Sequence, residues 1–149
     1  MEINRLEREL LLEETDALIG QVREPQRARY VELRKALAGE ALEESAVGAL
    51  ENLLALELRT GRARKIHGPM AESTLLRLYQ KTPTGSELQK STATVNKALA
   101  ALEGQTLEQI AFAPKGPGVY TLDVETAEYR VHLEIREEGI WVKEVGLDL

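Results

Sequence analysis

The chain has 149 residues, no cysteine and a formal net charge of −6. The missing thiols exclude disulfides, thiolate metal sites and thiol catalysis, and point to a reducing, cytoplasmic home. With 43% hydrophobic residues, a chain of this size can bury about two-thirds of its unfolded surface without a staple. The N-terminal stretch mixes charge with leucine every few residues, so it lacks the apolar core of a signal peptide. No run approaches the roughly 20 apolar residues of a membrane span, so no membrane partner is expected.

Charge is unevenly spread. Residues 1–58 carry 13 acidic and 7 basic groups, residues 59–117 carry 4 and 9, and residues 118–149 carry 8 and 3. A basic middle between acidic ends is either a surface patch for anions or internal complementarity.

In chain order, Ile3, Leu6, Leu10, Leu11, Leu18 and Val22 recur at helical spacing and predict an amphipathic helix over 2–22. Glu24-Pro25 restarts the chain, and Tyr30, Leu33 and Leu37 share one face of a second helix that Gly39 ends. The spacing predicts a third helix over 41–60. Over 49–58 it is apolar on nearly every side, which predicts burial among its neighbours. A basic connector follows, then Gly68-Pro69 opens a fourth helix carrying Met70, Leu75 and Leu78. Pro83 stops that helix, and Thr84 with Glu87 reads as a capping box for a fifth. Its seam of Leu88, Thr92, Val95, Leu99 and Leu102 suits one partner helix within the domain. Gly104 closes it, and Thr106 and Gln109 read as the caps of a brief turn.

After Ala113 the apolar period falls from about 3.6 to 2. Lys115-Gly116-Pro117-Gly118 is a breaker cluster. Tyr120, Leu122 and Val124 form one alternating run, Tyr129, Val131, Leu133 and Ile135 a second, and Ile140 and Val142 a third. Pairing Val124 with Tyr129 and Ile135 with Ile140 gives a three-stranded antiparallel meander with one dry face, and the helices are its cover. The expected fold is therefore α+β: about five helices followed by that meander, in a single domain over 1–149, with a helical part (1–113) and a meander (118–147).

For chemistry, His67 and His132 are the only histidines, and neither has metal-ligand spacing. Phosphate-loop, nucleophile-elbow and dinucleotide patterns are missing as well, so no cofactor is expected and catalysis is disfavoured. The most pointed signal is the basic connector: Arg59, Arg62, Arg64, Lys65 and His67 beside a helix start, with Glu72 placed to orient the imidazole. That set suits an anion, either a phospholigand or, with Arg77, Lys81, Lys90 and Lys97 extending the stripe to residue 97, a nucleic acid. On the sheet, alternation places Trp141 and Lys143 on the polar face with Arg130 and His132, an arrangement that suits a protein partner. The pairing sets Glu134 opposite Trp141 and His132 opposite Lys143. A bulge near residue 143 would turn Trp141 inward, and the tail 145–149 is an alternative cover for it.

The leading expectation is a non-catalytic interaction module, such as an adaptor, accessory factor or small regulatory subunit. Its partner would be another protein or a second copy, through the sheet's polar face or its edges. Anion or nucleic-acid binding through 59–97 is the alternative, and an enzyme of unfamiliar design is third.

Overall fold

The computed structural model describes residues 1–147. Helices come first and an antiparallel sheet follows, an α+β order with six α-helices and four strands among the described residues rather than five and three. By internal contacts the chain divides into two compact units, Met1–Ser86 and Glu87–Leu149. The last two residues of the expected tail, Asp148 and Leu149, lie outside the described residues.

The first unit is helical. α1 (Arg5–Ile19) starts from a capping box, in which Asn4 accepts from the Glu7 amide and Glu7 accepts from the Asn4 amide. α2 (Gln26–Ala38) and α3 (Glu44–Thr60) follow. α3 buries Leu50, Leu53 and Leu54 completely, as its all-round apolar sequence requires. The basic connector is itself a short helix, α4 (Arg62–His67), set off by Gly61 at φ 65° and Gly68 at φ 91°. α5 (Pro69–Lys81) then opens on proline. One core built from Leu11, Leu33, Leu37, Leu50, Leu54 and Leu75, among others, holds these helices together.

α6 (Pro83–Leu99) starts two residues earlier than a cap at Thr84 predicts. Thr82 is its cap, accepting from the Gly85 amide at 3.2 Å while donating to the Tyr79 carbonyl at 2.6 Å. Thr84 instead donates through its amide to Glu51 at 2.8 Å, and Glu87 pairs with Lys90. Gly85 is obligatory in this junction, because a Cβ there would lie 1.8 Å from the Tyr79 carbonyl oxygen.

In the second unit the seam of α6 packs on a sheet, not on a helix. The strands run β1 (Leu107–Gly116), β2 (Val119–Thr126), β3 (Tyr129–Arg136) and β4 (Gly139–Leu147), paired in sequence order. Val95, Ala98, Leu99 and Leu102 cover Leu122 of β2, Val131 and Leu133 of β3, and Ile140 and Val142 of β4. β1 replaces the expected brief turn and supplies the fourth strand.

Ile135 pairs with Ile140 and Glu134 with Trp141, as alternation requires. Val124, however, pairs with Val131 rather than Tyr129. The Thr126 hydroxyl accepts from the amides of Glu128 and Tyr129, which makes the turn wider than a two-residue hairpin. An irregularity at Lys143 sets His132 opposite Glu144 instead of Lys143. It lies beyond Trp141, so Trp141 keeps its polar face, and the phase changes only for the residues after it. No helix of the described chain is long and apolar enough to cross a membrane.

Candidate functional site

The expected anion site is organised around acids. Glu14 is 1% exposed and Glu57 3% exposed, inside the helical unit. Glu14 Oε1 lies 2.6 Å from His67 Nε2, and Glu14 Oε2 accepts from Arg62 Nε at 2.9 Å. Arg62 Nε is also 3.7 Å from Glu57 Oε1, and Glu13 approaches His67 Nδ1 at 3.9 Å. Glu72, expected to orient His67, instead pairs with Arg64 at 3.3 Å.

Burying two carboxyls together sets their protonation. Burial, joined by the neighbouring Glu14, pushes Glu57 up to about 7. Glu14 goes the other way: burial opposes ionisation, but His67, Glu57 and Arg62 together hold it below the usual carboxylate range. Glu57 Oε2 is buried with no partner among the protein's fixed donors. When protonated, the Glu57 carboxyl becomes a donor, and the neighbouring Glu14 side chain is an acceptor for it.

A cavity of about 400 Å³ adjoins this cluster, lined by Leu18, Leu56, Ile66, Glu57 and Lys65 among others. Its lining mixes apolar side chains with Gln21, Thr60 and the charged Glu57, Arg62 and Lys65, and Lys65 is an exposed member of the predicted set. Arg59 is exposed in the last turn of α3. The structure therefore brings Arg62 and His67 together on Glu14 and sends Arg64 to Glu72, while Arg59 and Lys65 are exposed. Elsewhere in the basic middle, Lys90 pairs with Glu87 and Lys115 with Glu134. Much of the positive charge is thus matched by acids of this same chain. Among the described residues no group of three or more His, Asp or Glu is arranged to hold a metal ion.

The sheet unit has two dissimilar faces. On the polar face, His132 Nδ1 lies 2.7 Å from Asp123 Oδ1, and Arg130 spans Asp123 and Glu125. Glu134 is buried beneath Lys115 and Arg136, and the Lys115 bond at 2.7 Å leads in holding it down to about 2. The Arg136 guanidinium stands 5.8 Å over the Trp141 ring, which stays 38% exposed. Lys143 is exposed. The four expected partner-binding residues thus share a strand pair, but Arg130 and His132 are already engaged with acids.

The other face is apolar and α6 covers only part of it. By register, Ile110, Phe112 and Pro114 of β1 lie on the same face as Tyr120, Leu122 and Val124 of β2. Ile110 is 59% exposed, Phe112 60% and Tyr120 41%. The rings of Phe112 and Tyr120 stack with centroids 5.4 Å apart and planes 11° from parallel. This corner went unseen in the sequence because β1 did, although Ile110 and Phe112 alternating with Ala111 and Ala113 carry the period of a strand. No protein-family model, curated protein or solved structure matches the chain.

Proposed function

We propose that the chain is a non-catalytic interaction module whose sheet unit docks a protein partner. The observation that carries this reading is the apolar corner of β1 and β2. Large side chains left in water on a small domain cost solubility, and a contiguous group of them commonly marks an interaction surface. Anion binding loses support, because Arg62 and His67 are engaged with Glu14 and Arg64 with Glu72.

The test is comparative capture with the intact chain and with Ile110→Ser/Phe112→Ser, followed by titration of any retained protein in purified form. The expected result is a protein that binds the intact chain stoichiometrically and loses about tenfold or more in affinity for the variant. Equal binding to both forms, or no protein retained by either, would contradict the reading.

A further inference from the structure

We infer that the uncovered corner of the sheet receives an amphipathic helix of a partner protein, one with basic side chains along its polar edge. The inference rests on the interaction reading above and goes on to name the partner's chemistry. Width is the first argument. Strands lie about 4.8 Å apart and a helix with its side chains is about 10 Å across, so one helix covers roughly two to three strands. α6 reaches β2, β3 and β4 through Leu122, Val131, Leu133, Ile140 and Val142, and none of its core partners lies on β1. The remaining strip, with Ile110, Phe112 and Tyr120, is the place a second helix would occupy in the same layer.

The alternatives fit less well. Strand addition at the β1 edge meets Pro114, which has no N–H to offer, and pairing irregularities at Glu108 and Lys115. A second copy laid sheet to sheet would meet α6, which stands a helix diameter above the same face. Self-association also opposes charge: residues 87–149 carry 11 acidic and 6 basic groups, a net charge of −5. In the segment that carries the corner's β1 residues, 98–114, Glu103 and Glu108 are exposed and no lysine or arginine occurs, so its charge favours a cationic, apolar partner.

Three synthetic peptides of roughly 18 residues, about 27 Å long as helices, test the proposal on the full chain. The first has a leucine stripe at helical spacing and a lysine polar face. The second has the same stripe with glutamate, and the third has the first peptide's composition with the stripe scrambled. Binding is followed by amide chemical shifts and by circular dichroism. The lysine peptide should become helical and perturb residues 110, 112 and 120, with the other two about tenfold weaker or worse. Phe112→Ser should weaken it by a similar factor, and Ile110→Ser serves if the first variant does not fold. Equal affinity for all three peptides, no binding of the lysine peptide, or shifts centred elsewhere would overturn the proposal. So would a dimer in sedimentation that Phe112→Ser dissociates, since the occupant would then be a second copy; that outcome leaves the interaction reading standing. The capture experiment fails independently, if it retains nothing that depends on the corner.

Discussion

Glu57 is an acid set among leucines. Its side chain is 3% exposed, so its titration is felt by the whole helical unit. Because its pKa rises from 4.5 to about 7 on folding, its contribution to stability is complete below pH 4.5 and is lost as pH rises to about 7. Glu14, held below its ordinary value, acts with the opposite sign and loses its contribution as pH falls. Glu57→Gln keeps an uncharged donor beside Glu14 and removes the titration. The variant should flatten the stability profile between pH 5 and 8, and at pH 8 it should equal or exceed the parent by about 1–2 kcal/mol, less than the full shift implies because Arg62 and His67 meet solvent. Urea unfolding at several pH values measures this, and an unchanged slope would contradict the shared-proton account. The sequence held a sign of the pair that its basic neighbours obscured. Glu14 lies three residues after Leu11 and four before Leu18, on a buried stripe where a charge demands a partner. Which partner it finds depends on bringing α1, α3 and α4 together across more than 40 residues of chain, and local spacing carries no such information.

At the scale of elements, the α5–α6 junction is the least tolerant place. Thr82 caps α6, Pro83 ends one helix and begins the next, and Gly85 lies against the Tyr79 carbonyl. Gly85→Ala must move backbone, since the obstructing atom belongs to the main chain. It should cost about 3 kcal/mol or more and lower the thermal midpoint, whereas Gly48→Ala, with open space around it, should not destabilise. Equal midpoints for the two variants would contradict the junction's geometry. The helices and β2 to β4 were legible because their apolar periods are long and clean. β1 was not, because alanine fills its alternate positions and Pro114 and Lys115 resemble the start of a breaker. The seam of α6 meets a sheet and not the partner helix its spacing predicts, because spacing alone cannot distinguish the two surfaces.

In the molecule as a whole, two separate apolar clusters stand behind the two compact units. The helical cluster buries many leucines, whereas among the described residues the buried members of the sheet cluster are Val95, Val131 and Leu133. Cooperative units follow their cores, so the sheet unit should unfold at lower denaturant. Trp141 reports on that unit alone, while far-ultraviolet circular dichroism is dominated by the helices. The two signals should therefore give separate transitions, the tryptophan first. Coincident curves would instead support the single cooperative domain that the sequence suggests.

The central claim is that the corner formed by Ile110, Phe112 and Tyr120 serves a partner and not the protein's own core. Thermal unfolding of Ile110→Ser/Phe112→Ser beside the parent chain tests this most directly. Two large apolar residues taken from a core would cost about 4 kcal/mol or more, a fall of over 10 °C at this size. The account predicts a midpoint within about 3 °C of the parent and a more soluble protein, because water already reaches both side chains. A fall of 10 °C or more would place those residues in the protein's own core and contradict the claim.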